Sequence, residues 1–131
     1  MEDFRALGKP MNQPVKALDT FPSPAHVRRV RFTSDEVTSF CPVTGQPDFN
    51  TVEIEYEPDQ FCVESKSLKL YLWTFREEHV FGETLAHTIA SDLFDALQPH
   101  LVRVKVIQNI RGGLQMTAFA ERNRKDESSD E

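Results

Sequence analysis

The apolar pattern of this chain changes period twice, and that change restricts the fold more than any other feature. From Val27 to Thr33, Val30 and Phe32 alternate with Arg29 and Arg31, the period of a half-buried strand. Val52, Ile54 and Tyr56 alternate with Glu53, Glu55 and Glu57 in the same way. Across residues 66–77 the spacing becomes helical, with Leu68, Tyr71, Leu72 and Phe75 opposite Lys66, Lys69, Trp73 and Arg76. A second helix is predicted from about Thr84 to Gln98, with Leu85, Ile89, Leu93 and Leu97 on one face and Pro99 as its stop. Period two returns at Val102, Val104 and Val106, and Gly112-Gly113 turns the chain into a last strand from Leu114 to Glu121. The order ββααββ predicts an α+β domain, an antiparallel sheet with both helices on one face. Arginines on the first strand and glutamates on the second predict that these two are neighbours.

A chain of 131 residues accommodates one such domain. Residues 1–25 hold Pro10, Pro14, Pro22 and Pro24 with little periodicity, which reads as an extended arm ordered only by packing on the body. Residues 26–121 form the domain, and residues 122–131, with no apolar side chain, read as a disordered polar tail. A net charge of −6 argues against broad nucleic-acid or acidic-membrane binding, though it leaves room for a local basic patch. No apolar run approaches the length of a membrane span, and two cysteines do not make a disulfide framework. A soluble, cytoplasmic protein is expected. Unpaired sheet edges are an association hazard, so a homo-oligomer is expected too.

Chemistry concentrates in two segments. The first is Cys41-Pro-Val-Thr-Gly-Gln-Pro-Asp48, a thiol and a carboxylic acid in a loop bounded by proline and glycine. A lone cysteine is most often a small buried hydrophobe, and Cys62, between Phe61 and Val63, keeps that reading. Cys41 has instead an open, polar setting with Ser39 and Thr44, which suits a thiolate nucleophile. Asp48 fits turn chemistry by itself, but near a thiol it could also donate a proton to a developing nitrogen anion. The second segment starts at Glu64-Ser65, where helix-start amides gather as an anion site. It continues into Lys66, Lys69, Trp73 and Arg76, which is either a solvated helix face or a basic surface for a phosphate-bearing ligand. Arg111 offers a further phosphate contact. His26, His79, His87 and His100 lack metal-ligand spacing to either cysteine, and there is no phosphate-binding glycine loop. No metal is expected.

The runs Cys41-Pro-Val-Thr-Gly-Gln-Pro-Asp48-Phe49, Glu64-Ser-Lys-Ser-Leu-Lys-Leu-Tyr71, Phe75-Arg76 and Phe81-Gly82-Glu83 closely resemble the short form of the NADPH-dependent 7-cyano-7-deazaguanine reductases. These are the nitrile reductases of queuosine biosynthesis, a tRNA modification. The likeness runs from about Arg31 to Glu121. It implies a tunnelling fold, related to GTP cyclohydrolase I, whose subunits close into rings, often two stacked pentamers, with active sites between subunits. It implies Cys41 as the nucleophile that forms a thioimide with the nitrile, and Asp48 as the proton donor. Val63, Glu64 and Ser65 match the substrate-binding segment, and Glu83 matches the glutamate that grips the aminopyrimidinone edge. Lys66, Lys69 and Arg111 match positions that hold NADPH. The family often has Phe-His-Glu where this chain has Phe81-Gly82-Glu83, so any imidazole contribution is absent, although the Gly82 amide can still touch the ligand.

Two other functions keep some of these features. An amidinotransferase-like relative acting on 7-cyano-7-deazaguanine in tRNA would keep Cys41 and Asp48 and have no use for a NADPH surface. A non-catalytic purine- or pterin-binding ring would need only Glu83. A zinc cyclohydrolase would want histidine where Thr44 stands.

Overall fold

Valine and isoleucine at every second position build a sheet here because one of its faces has two helices to bury against. A computed structural model describes residues 16–128. The main sheet has four antiparallel strands in the order β2-β3-β5-β6. They are β2 (Val30–Phe40), β3 (Pro47–Glu57), β5 (Leu101–Arg111) and β6 (Leu114–Asn123). Between them run α1 (Ser65–Trp73), a 3-10 turn over Thr74–Glu77, and α2 (Gly82–Leu97). This is the expected ββααββ order. Arg31 stands opposite Glu55 and pairs with it at 2.8 Å, the cross-strand complementarity read from the sequence.

The core lies between the helices and one sheet face. Val52, Ile54 and Tyr56 of β3 and Val102, Val104 and Val106 of β5 meet Leu68, Tyr71, Phe75, Leu85, Ile89, Leu93 and Leu97. The 3.6-residue stripe of each helix is thus the face it buries. Gln98 closes α2 in the left-handed conformation at φ 48°, immediately before Pro99. Gly112 and Gly113 both have positive φ, 61° and 80°, as a two-residue hairpin loop requires. Among the described residues no helix is long and apolar enough to cross a membrane.

Four elements depart from the sequence expectation. Strand β2 begins at Val30 and runs on to Phe40, well past Thr33, because its polar second half lies on the sheet edge and still pairs with β3. Helix α2 begins at Gly82, two residues early, which puts Glu83 in its first turn. The tail is not disordered at residues 122–128: β6 continues to Asn123, paired with Leu101, and α3 (Arg124–Ser128) follows. Arginine supplies what apolar residues do not, because Arg122 lies over the Phe94 ring at 4.2 Å and pairs with Glu127 at 2.9 Å. Residues 129–131 lie outside the described residues.

The fourth departure is a second, two-stranded sheet that pairs β1 (Thr20–Pro22) with β4 (Phe61–Val63). It docks the end of the expected arm; residues 1–15 lie outside the described residues. Ser67 makes the tie. Its Oγ, fully buried, accepts from the Asp19 amide at 2.9 Å and donates to the Glu64 carbonyl at 2.8 Å.

Two bulges interrupt the registers. In β2, Asp35 and Glu36 together face Thr51, between the pairs Ser34–Val52 and Val37–Asn50. In β5, the register shifts between the pairs Gln108–Met116 and Arg111–Leu114. Each inserts one residue, which reverses the in/out alternation beyond it.

The Ser67 tie can be tested. Ser67→Ala leaves the buried Asp19 amide unmet, so the fold should lose about 1–3 kcal/mol in urea unfolding. Hydrogen exchange at residues 19–22 should accelerate, with α2 unaffected.

Candidate active site

The core-facing row of the sheet changes from apolar to polar at one end. On β3 it reads Tyr56, Ile54, Val52, then Asn50 and Asp48; on β5 it reads Val102, Val104, Val106, then Gln108. Those polar residues face the same side as the valines before them. On β2 the bulge transfers the inward row to Val37 and Ser39, both buried, and carries its parity on to Cys41. The bulge in β5 does the same for Arg111. One sheet end therefore collects Ser39, Cys41, Asp48, Asn50, Gln108 and Arg111.

The connection from Cys41 to Gln46 is a tight turn. The Cys41 amide donates to the Gln46 carbonyl and the Gly45 amide to the Cys41 carbonyl, both at 2.9 Å, with Gly45 at φ 73°. This folds Thr44 back over the thiol, its amide 3.5 Å from Sγ. The Thr44 side chain, then the Thr44 and Val43 amides, stabilise the thiolate, and the Arg111 charge adds a smaller pull. The thiol pKa is lowered from 9.0 to about 7. Cys41 is half-buried, while Cys62 is fully buried in the core. A thiolate at neutral pH is the form that attacks electrophiles.

Asp48 is almost fully enclosed. Its Oδ1 pairs with Arg111 Nη2 at 2.8 Å and its Oδ2 accepts from Gln108 Nε2 at 3.4 Å. Arg111 also donates to the Pro47 carbonyl at 3.1 Å. In this chain the arginine expected at the cofactor reaches the carboxylate. Asn50 Nδ2 donates to the Val37 carbonyl and to Ser39 Oγ, and its buried Oδ1 finds no partner within the described residues.

The segment from Glu78 to Val80, joined to Phe40 by an isolated parallel bridge at His79, brings the next residues alongside. The Phe40 amide donates to the Glu78 carbonyl at 2.8 Å and the Val80 amide to the Phe40 carbonyl at 3.0 Å. His79 stacks on Phe40 with ring centroids 5.1 Å apart. Residues 81–83 follow directly, with Gly82 buried and Glu83 exposed.

The segment at α1 is arranged differently from the expectation of an open anion site. Glu64 caps the helix with its own carboxylate, accepting from the Lys66 amide at 2.9 Å and the Ser67 amide at 2.7 Å. A negative cap satisfies the same N–H groups and dipole an anion would use. Val63 is buried, and its amide donates to the Tyr56 hydroxyl at 3.0 Å. Ser65 and Lys69 are exposed and, with Trp73, line a groove of about 600 Å³ between α1 and β2. Arg76 lies over the Trp73 ring at 5.1 Å. The structure thus brings Cys41, Asp48 and Arg111 together, while Lys66 and Lys69 belong to α1. Among the described residues no three His, Cys, Asp or Glu side chains cluster as a metal site.

Gln108 and Asn50 were missed by the reading of the sequence. The signal for them was the strand alternation itself, continued past Val52 and Val106 to the first polar residue on the same face.

So far the molecule is an α+β domain with a thiolate-forming cysteine and an enclosed carboxylate at one sheet end. Comparison with known proteins makes this specific. A family model described as QueF-like protein matches residues 47–127. A relative from Nitratidesulfovibrio vulgaris, named NADPH-dependent 7-cyano-7-deazaguanine reductase, is 47% identical over 92% of this chain and 78% of its own length. Relatives of the same name from Nitrosospira multiformis and Thermomicrobium roseum are each 46% identical. They cover 84% and 82% of this chain, and 81% and 86% of their own. The crystal structure of an archaeosine synthase QueF-Like in the apo form superposes with a TM-score of 0.69 at 25% identity, over 76% of this chain and 94% of that one. This chain belongs to the QueF-like family.

The thiol makes a direct prediction. Alkylation of Cys41 by iodoacetamide should rise with pH around a midpoint of about 7. The hydroxyl is the leading cause of the lowered value, so Thr44→Val should move the midpoint up towards an ordinary thiol. An unchanged midpoint in that variant would sink the assignment of cause.

Proposed function

We propose that this chain reduces the nitrile of 7-cyano-7-deazaguanine to the aminomethyl group of 7-aminomethyl-7-deazaguanine with NADPH, a step of queuosine biosynthesis. The observation that carries the reading is the Cys41 thiol, lowered to about 7 at the sheet end that also holds Asp48. The named reductases at 44–47% identity over most of this chain support the substrate and the reductant.

A nitrile carbon is a weak electrophile, and a thiolate is the side chain suited to it. The Cys41 sulfur bonds to the nitrile carbon as one C–N π bond opens, and the electron pair goes to nitrogen. Asp48 supplies the proton that nitrogen then needs, acting as general acid. The product of this step is a thioimide, with a C=N bond that accepts hydride where the nitrile would not. NADPH, when bound, would supply the hydride for each of the two reductions. After the first the C–S bond breaks, Cys41 leaves as thiolate and an imine remains; the second reduction, with a proton on nitrogen, gives the amine. Lys66, Lys69 and Arg111 would hold its phosphates, and the exposed Lys69 on a groove that also carries Trp73 fits a phosphate and a flat ring. Glu83 accepts from the ring N–H and exocyclic amine of the substrate. Val63, Glu64 and Ser65 line that edge, and the Gly82 amide touches the ligand.

We further propose that copies of this chain close into a ring, a decamer, and work in the cytoplasm. Strands β2 and β6 end the sheet, and Ile110, Leu114 and Phe119 are more than two-thirds exposed, surface that an edge-to-edge neighbour would cover. Two unbridged cysteines suit a reducing compartment.

The likeness to an archaeosine synthase keeps a second reading in play, an amidinotransferase-like chain that acts on 7-cyano-7-deazaguanine in tRNA and has no use for NADPH. Two measurements separate them. Mass spectrometry of the protein mixed with the nitrile should find one substrate mass added in the unaltered chain and in Cys62→Ala, and none in Cys41→Ala. NADPH oxidation should depend on the nitrile, and should fall by about 100-fold in Asp48→Asn. An adduct without NADPH oxidation would favour the synthase-like reading.

Lys69→Ala tests the groove. The Michaelis constant for NADPH should rise, while adduct formation in the absence of cofactor keeps its rate. Equal constants in the two proteins would remove Lys69 from the cofactor surface.

A further inference from the structure

We propose that Gln108 is the residue that positions the Asp48 carboxylate in this chain, and that the absent side chain at Gly82 is what admits it. The inference rests on the proposed role of Asp48 in proton transfer.

Asp48 has two restraints of different kinds. Arg111 sits at the β5–β6 hairpin beside Gly112-Gly113 and remains 40% exposed. Gln108 sits on the inward row of β5, in register with Asn50 on one side and Met116 on the other. Asn50 is fixed in turn by its amide bonds to Val37 and Ser39. The glutamine therefore stands on a strand paired on both sides, whereas the arginine stands at the edge of a turn.

The chemistry of the two groups differs as well. A guanidinium only donates hydrogen bonds, so it holds a carboxylate strongly but cannot accept the O–H of a carboxylic acid. A primary amide has a donor and an acceptor. Gln108 can donate Nε2–H to ionised Asp48 and, after rotation of the amide, accept the O–H of protonated Asp48 through Oε1. A residue that gives up and regains a proton in each cycle needs a partner of that kind.

Gly82 makes the room. A Cβ at residue 82 would lie 2.1 Å from Met116 Cε, 3.0 Å from Gln108 Nε2 and 3.1 Å from Gln108 Cδ. A side chain at residue 82 would thus displace the Met116 methyl and press on the Gln108 amide. These atoms lie at the ends of two flexible side chains, so alanine there displaces the methionine methyl and shifts the amide by a few tenths of an ångström without breaking the fold.

Gln108→Met keeps the length and packing of the side chain and removes both hydrogen-bonding groups. In single-turnover NADPH oxidation its rate should fall about tenfold, the equivalent of one lost neutral hydrogen bond. The Michaelis constants for nitrile and NADPH, the thermal midpoint and the Cys41 alkylation profile should stay as they are. Gly82→Ala should give a similar loss, and the double variant no more than either one, since both act on one contact. A Gln108→Met rate equal to that of the unaltered chain overturns the positioning role, and multiplied losses in the double variant overturn the role of Gly82. If the unaltered chain oxidises no NADPH, the reductase reading itself fails. Crystal structures still decide the positioning in that case: it is upheld if the Asp48 carboxylate turns in Gln108→Met and overturned if it does not.

Discussion

Between Ser34 and Val37, strand β2 carries one residue more than the stretch of β3 opposite it, and the site depends on that extra residue. Side chains alternate with a period of two, so one inserted residue moves everything after it to the other face. Without the insertion, the row containing Phe32 and Ser34 would continue through Thr38 and Phe40, and Cys41 would face the side of the sheet that carries Arg31 and Glu55. With it, the inward row is Val37, Ser39 and then Cys41. The bulge between Gln108 and Arg111 re-aims the arginine in the same way. The thiol, the carboxylate and the cation share a face because two strands are each out of step by one residue.

The position of this cluster at the end of the sheet follows from where the helices lie. Over most of their length β3 and β5 bury valine and isoleucine against α1 and α2. Beyond Val52 and Val106 the helical cover ends at Gly82, the first residue of α2, and the inward row turns polar. Polar groups there need partners, and most have them: Asn50 holds Val37 and Ser39, and Asp48 holds Arg111 and Gln108. Among the described residues the one orphan is Asn50 Oδ1, a buried acceptor whose unmet state carries a penalty of about 1–3 kcal/mol. Unmet polarity of this kind is concentrated where proteins bind and react. The outer face has a different character. Glu55 draws in Arg29, Arg31 and Arg103, and Arg103 pairs with Glu121. These exposed pairs add little stability each, but they keep that face hydrated and unfit as a core.

Glu64 illustrates how a motif can have more than one role. From the sequence it belongs to a run that resembles a substrate-binding segment, and its neighbours look like an open helix start. In the folded chain its carboxylate caps α1, while Ser67 beneath it ties the helix to Asp19. A residue that fixes the start of the helix also fixes the direction in which Ser65, Lys66 and Lys69 project. The fold and the proposed binding surface therefore share this side chain.

Periodicity was enough to read the element order, the buried stripes of both helices, the β2–β3 pairing and the Gly112-Gly113 hairpin. Each rests on interactions between residues close in sequence or on an alternation that repeats. The motifs carried Cys41 and Asp48 for a related reason, since their spacing spans a single turn. The contacts of the site were another matter. Gln108 and Asp48 are 60 positions apart, Arg111 and Asp48 are 63 apart, and their meeting depends on how β5 lies against β3, as the approach of Cys41 depends on β2. Bulges set that register, and a bulge made of Asp35 and Glu36 looks like any other polar stretch. The β1–β4 sheet and the ordered segment at Arg122 were hidden likewise, because their partners, Phe61–Val63 and Phe94, lie far along the chain. Local chemistry determined which residues could react; only the packing of strands against one another decided which of them face the same few ångströms of space.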